Sequence, residues 1–275
     1  MINTLFGDKT LRENRRLIEM AVQIFGVSML VIFFVFYAYA WYKAKYMGTG
    51  ANLRPIPQYD ALKEGVGRAT EMGEPVFYSA GVASARDPSI MAGITLSSHI
   101  SEMCARSQTQ LIIGCFKADQ VPLIEDVVHL ATIRAGHPEA KDLQEIHYFS
   151  ETKFPGVAKW QGMMERQGVA TCFLLGAFDA DDLQLIMAAR KYGAMVIGGV
   201  TSTSHMPFFA GACDYTIQGD ELFAASAYIT QEPVQTNIIM MADIIRLILL
   251  VIIVIGAIAT IAGSSISGLL STVVG

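Results

Sequence analysis

The segment Gly198-Gly199-Val200-Thr201-Ser202-Thr203-Ser204-His205 places four hydroxyls and an imidazole behind a pair of glycines. Paired glycines free the backbone, and N–H and hydroxyl donors beside them suit an anion or a phosphate. A smaller concentration of such residues is Ser79 and Gly81, followed by Ser84 and Arg86. Lys117 with Asp119, and Asp179 with Asp181, form two further polar pairs. The Gly198–His205 loop carries no phosphate-loop lysine, and no convincing helix pattern follows His205. The five histidines (His99, His129, His137, His147 and His205) never occur in an HExxH spacing, and no Gly-x-Ser-x-Gly elbow is present. Cys104, Cys115, Cys172 and Cys213 show no C-x-x-C pair and no zinc-ligand interval to a histidine. No catalytic residue, metal or cofactor is therefore assigned, and an enzyme is the less favoured expectation.

Apolar runs of strand length, each followed by a helix-period segment, must position these groups. The pattern predicts helices over 59–72, 87–106, 120–135, 154–167, 182–192 and 220–228. Strands are expected over 75–80, 110–115, 170–177, 194–198 and 214–218, with 145–150 as a short extra strand. Asp87-Pro88 reads as a cap followed by proline at the first helical position, and Gly73 as a helix stop. Strands that are apolar throughout, separated by helices, imply a largely parallel, doubly wound, Rossmann-like α/β sheet covered on both faces. One βα unit is written twice: residues 111–128 lie over 173–189 at an offset of 62. Gly114 matches Gly176, Phe116 matches Phe178, and Asp119 matches Asp181. The two aspartates are expected to cap helix N-termini. In a doubly wound sheet, ligands bind outside the carboxyl ends of the strands. That rule singles out the loops after each strand, and Gly198–His205 is the richest of them. Gly65-Val66-Gly67 falls inside a helix and is no dinucleotide fingerprint.

Composition separates this domain from the chain ends. Charged residues make up only 16% of the 275 residues, against roughly 25% in soluble domains. The deficit is concentrated in 20–41, which has no charged residue, and in everything after Arg246. At about 1.5 Å per residue, each run is long enough for a hydrocarbon core of roughly 30 Å. The expected organisation is a charged juxtamembrane helix at 1–19, a span at 20–41, a linker at 42–58, the α/β domain at 59–238, a second span at 244–267 and a tail at 268–275. Tyr37, Tyr39, Trp41 and Tyr42 form an interfacial belt ahead of Lys43 and Lys45. Ala38-Tyr39-Ala40 resembles a signal-peptidase site, but the apolar run exceeds the usual length, so an uncleaved anchor is expected. In the second span, Gly256, Ala259, Gly263, Ser264 and Gly268 supply small residues, with 259/263 and 264/268 each four apart. That spacing lets helices approach closely in lipid, and a homo-oligomer is expected from it.

Between residues 46 and 240 there are 13 basic and 21 acidic side chains, a formal charge of −8. An acidic domain without a basic stripe argues against nucleic acid and against lying flat on anionic lipid.

Two stretches carry a resemblance. EGVGRATEMGEPVFYSAG (64–81) and FFAGACDYTIQGDELFAASAYITQEP (208–233) are similar to an uncharacterised family of prokaryotic membrane-anchored proteins, a domain of unknown function. The likeness runs from about residue 53 to 233 and implies an α/β domain near a membrane, with no activity attached. An inner or plasma membrane location follows from it, and the strand-borne cysteines suggest a domain on the cytoplasmic side. The functional expectation is a membrane-anchored, self-associating scaffold or accessory protein, presenting an acidic domain to protein partners of a larger complex. The alternative is a membrane-tethered enzyme or sensor for a nucleotide or other anionic small molecule at the strand ends.

Overall fold

β-branched and aromatic runs alternating with helix-period segments yield six strands and seven α-helices among the described residues of the computed structural model. The structure describes residues 57–179 and 182–230, together with scattered positions between 27 and 42 and between 245 and 254. In chain order the elements are α1 (Pro57–Met72), β1 (Val76–Gly81), α2 (Pro88–Ser107), β2 (Leu111–Cys115), α3 (Val121–Ala135), β3 (Gln144–Tyr148) and α4 (Lys153–Gln167). They continue with β4 (Thr171–Ala177), α5 (Asp182–Lys191), β5 (Met195–Val200), α6 (Met206–Ala212), β6 (Tyr215–Gln218) and α7 (Glu221–Thr230).

The strands form one sheet in the order β3-β2-β1-β4-β5-β6, and every pairing is parallel. This is the doubly wound order of the Rossmann-like folds, with its switch point between β1 and β4. The short stretch expected at 145–150 is a full sheet member: β3 pairs with β2 over all five of its residues, Gln144 to Tyr148.

Side chains alternate between the two faces as the strand period of two requires. Tyr78, Ile113, Phe173 and Ile197 join one buried cluster with Leu62, Ile90, Leu96 and Leu222. Phe77, Ile112, Leu174 and Val196 join the other, with Trp160, Leu185 and Phe209. Helices α1, α2, α3 and α7 therefore cover one face and α4, α5 and α6 the other. Both cores are built from side chains that are almost wholly excluded from water.

At the switch point, β1 and β4 approach at backbone distance. Their register shifts between Ser79 and Gly81, where β1 pairs next with Ala177. Gly81 has φ +110, and a Cβ there would lie 2.0 Å from the Ala177 carbonyl oxygen. The Tyr78 hydroxyl spans the same seam, donating to the Gly93 carbonyl of α2 and to the Leu175 carbonyl of β4 at 3.4 Å. Burial, with Cys115 nearby, pushes the Tyr78 phenol well above its ordinary range and keeps it a neutral donor.

The α/β unit spans residues 54–231. Among the described residues no helix is long and apolar enough to cross a membrane. The expected spans at 20–41 and 244–267 lie mostly outside the described residues, and the segments at 1–19 and 268–275 and Asp181 lie wholly outside them.

Candidate functional site

The loops leaving β1 to β5 converge on a crevice of about 390 Å³ at the switch point. Val82 and Ala83 follow β1, Asp87 and Ser89 open α2, and Lys117 follows β2. Glu151 comes from beyond β3, Ala177, Phe178 and Asp179 from the end of β4, and Thr201 and Ser202 from beyond β5. That volume lies within the range of small-molecule sites, roughly 300–1,000 Å³.

Each wall of the crevice is fixed by identifiable contacts. The backbone of Val82 donates to the Ala177 carbonyl at 2.9 Å, which carries the seam of β1 and β4 into the loop. Asp87 is the N-cap of α2: its Oδ1 accepts the Ser89 N–H at 2.8 Å, and Pro88 follows as expected for a first helical residue. The Ser89 and Thr201 hydroxyls meet at 2.7 Å and tie the start of α2 to the end of β5. Gln120 is wholly buried beneath the loop after β1, its Nε2 donating to the carbonyls of Gly81 at 3.1 Å and Ala83 at 2.7 Å.

Asp119 does not cap a helix. Neither the 3-10 turn Ala118–Gln120 nor α3 has a side-chain cap. Instead, one Asp119 oxygen accepts the Ser84 hydroxyl at 2.6 Å and the Ala85 N–H at 3.1 Å, which clamps the β1 loop to the β2 loop. The Ser84 hydroxyl foremost, then the Ala85 N–H, holds this carboxyl below its usual range. A local repeat in sequence thus hides a long-range role, because the loop it reaches lies 35 positions away.

Charge in the crevice is mostly acidic. Asp87, Glu151 and Asp179 face a single lysine, Lys117, whose Nζ is 3.7 Å from Glu151. His205 approaches from one turn beyond Thr201, its Nε2 4.0 Å from Asp179 Oδ1. Among the described residues no cluster of three or more His, Cys, Asp or Glu is arranged to hold a metal ion.

The residues singled out by sequence separate into three groups. Thr201 and Ser202 line the crevice together with Lys117 and Asp179. Thr203 and Ser204 lie exposed in the turn before α6, and His205 begins that helix as its N-cap position. Gly198, Gly199, Ser79 and Gly81 belong to strands, not to a ligand loop. β5 continues to Val200 rather than stopping at Gly198. A side chain on Gly198 would strike Phe209 at 2.4 Å and Cys213 Sγ at 2.6 Å, and one on Gly199 would strike Leu175 at 2.9 Å. The glycine pair admits close helices from both faces. Ser79 is fully buried, and its Oγ accepts the Gly81 N–H at 3.2 Å. A short helix, α6, also follows His205, where no helix pattern is evident in the sequence.

Strand ends read from the sequence do not single out Asp87, Ser89 or Glu151. Asp87 is legible as a cap, and a cap that opens the helix after β1, one of the two strands at the switch point, faces that point. Glu151 needed β3 to be recognised as a sheet strand, since only then does its loop join the carboxyl edge.

Residues 14–270 match a family described as Domain of unknown function (DUF6754). None of the curated proteins matches the chain.

Proposed function

We propose that the chain, which belongs to that family along nearly its whole length, is a membrane-anchored binding protein whose α/β domain holds a small molecule at the switch point. One observation carries this reading: five strand-end loops meet around a 390 Å³ crevice, and that crevice occupies the position where doubly wound sheets bind ligands. The Ser89, Thr201 and Ser202 hydroxyls supply polar groups over a floor of Val82, Ala83, Ala177 and Phe178. Within it Ser89 and Thr201 bond to each other and Lys117 lies against Glu151, a polar lining suited to binding or sensing.

Membrane attachment is supported by the two apolar runs, the uncharged 20–41 and the uncharged stretch after Arg246. Positions described within them are helical, and Val27, Phe34, Leu250 and Ile253 expose apolar side chains. We place the protein in a prokaryotic inner or plasma membrane with its domain in the cytoplasm. An impermeant thiol reagent applied to intact cells should leave a cysteine introduced at 48–58 unmodified; labelling there reverses the orientation.

The binding test uses the full chain in neutral detergent, dialysed against a defined mixture of polar metabolites and analysed by mass spectrometry. Wild type should retain a component that Thr201→Tyr, which fills the crevice, does not. Equal retention by the two proteins rejects the crevice as a site.

A second reading has its own support. Gly256, Ala259, Gly263, Ser264 and Gly268 suit close helix packing in lipid, and an acidic domain held at a membrane suits a self-associating scaffold for protein partners. Light scattering in mild detergent should then give an oligomer that Gly263→Leu dissociates. A monomer at every concentration excludes that reading.

A further inference from the structure

We infer that the crevice takes a small organic cation, an amine or guanidine with further hydrogen-bonding groups, and excludes phosphates. The inference rests on the crevice-binding reading above and names the chemical class it serves.

The same fold binds pyrophosphate when a glycine-rich turn brings bare backbone N–H groups and an open helix N-terminus to the ligand. Here each of those features is replaced. The turn after Gly81 reads Val82-Ala83-Ser84-Ala85-Arg86, so side chains stand where close backbone approach would be needed. Val82 and Ala83 themselves line the crevice. The N-terminus of α2 is already engaged by a carboxylate, since Asp87 Oδ1 holds the Ser89 N–H at 2.8 Å. A phosphate arriving there would meet a fixed negative charge rather than unsatisfied N–H groups.

The remaining lining points the same way. Three carboxylates and one ammonium line the cavity, and the ammonium of Lys117 lies against Glu151 at 3.7 Å. Asp87 and Asp179 stand on opposite sides of the switch point, one opening α2 and the other closing β4. Arg86, the other cation of the β1 loop, is exposed and does not line the cavity. A cation between Asp87 and Asp179 would rest its methylenes on Ala177 and Phe178 and direct polar groups to Thr201 and Ser202. In a partly desolvated cleft one such charge contact outweighs its value in bulk water several-fold.

The test is equilibrium dialysis of the full chain in neutral detergent at pH 8. The probes are radiolabelled agmatine, putrescine and inorganic pyrophosphate. Asp87→Asn removes charge while asparagine keeps the cap, and Asp179→Asn is isosteric. Agmatine or putrescine should bind wild type saturably, about tenfold more weakly in each single variant and more weakly still in the double variant. Pyrophosphate should not bind. Retained circular dichroism in the variants separates lost charge from lost fold. Tighter binding of pyrophosphate than of either amine overturns the class and leaves the crevice reading standing. Equal amine binding by wild type and the double variant places the amine elsewhere and overturns the inference. No binding of any probe also overturns it, and metabolite retention by wild type against Thr201→Tyr then decides whether the crevice reading falls with it.

Discussion

Replacing Gly81 with alanine attacks the seam that creates the crevice. At φ +110 an L residue is strained, at a cost of about 1–3 kcal/mol. The added Cβ would also stand 2.0 Å from the Ala177 oxygen and 2.6 Å from its carbonyl carbon. Those atoms are backbone and cannot rotate away, so β1 and β4 must separate, at a further cost of about 1–3 kcal/mol. The combined loss is about 2–6 kcal/mol, a large fraction of the roughly 5–15 kcal/mol that keeps a domain folded. For a domain of this size each kcal/mol moves the melting midpoint by about 2–4 °C. Gly81→Ala should therefore melt about 4–24 °C below wild type. Gly67 supplies the internal control: it is exposed on α1, and a Cβ there meets nothing within 4 Å. Gly67→Ala should raise stability by about 0.5–1 kcal/mol through helix propensity. Thermal unfolding of the full chain in detergent, followed by tryptophan fluorescence (Trp41 and the buried Trp160) and far-UV circular dichroism, compares the two variants directly. If Gly81→Ala melts within about 1 °C of wild type, the backbone contact between β1 and β4 does not constrain this seam.

Three further outcomes follow from the same geometry. Gln120→Leu deletes both donors beneath the β1 loop and leaves the Gly81 and Ala83 carbonyls without them; at about 1–3 kcal/mol, amide exchange should accelerate at 82–87 while β5 stays protected. Because the folded state holds the Asp119 carboxyl below its unfolded value, its contribution is present above about pH 4 and fades as pH falls through the depressed folded value. The stability difference between wild type and Asp119→Asn should accordingly be seen at pH 7 and vanish in strong acid by denaturant titration. None of the four cysteines is in a disulfide, with Cys104, Cys115 and Cys172 buried and Cys213 half-buried. Burial pushes Cys115 up to about 12, so maleimide should reach Cys213 first and the other three only after unfolding, as read by mass spectrometry.

Much of the architecture is legible in the residues themselves. Apolar strand runs and helical periods give the element order, and Asp87-Pro88 marks the start of α2 as observed. Other features are ambiguous because one residue type serves two purposes. Glycine permits unusual backbone and also close packing, and Gly198-Gly199 does the second. Aspartate before a helix suggests a cap, but Asp119 finds its partners across the sheet edge at Ser84 and Ala85. The doubled βα unit is the clearest example. The fold's own near-symmetry relates β1 to β4 and β2 to β5 about the switch point, whereas the sequence likeness relates β2 to β4. Gly114 leaves room for Phe149 and Trp160, while Gly176 lets the Ala80 carbonyl approach. The likeness therefore records what any buried strand followed by a helix requires, and it does not trace the two halves. Of the site, Lys117, Asp179, Thr201 and Ser202 follow from strand ends alone, whereas Glu151 requires knowing that β3 pairs with β2.

The switch point also governs when the crevice exists during synthesis. Tyr78 and Leu175, joined across the seam, stand 97 positions apart. At roughly 5–20 residues per second, β1, β2 and β3 emerge from the ribosome several seconds before β4 can cover the open edge of β1. Throughout that interval the nascent half-sheet presents Val76 to Ala80 unpaired on one side, an edge of the kind that recruits other strands. Premature termination before residue 170 should then yield an aggregating product, and any ligand of the crevice can assist folding only after β4 has docked.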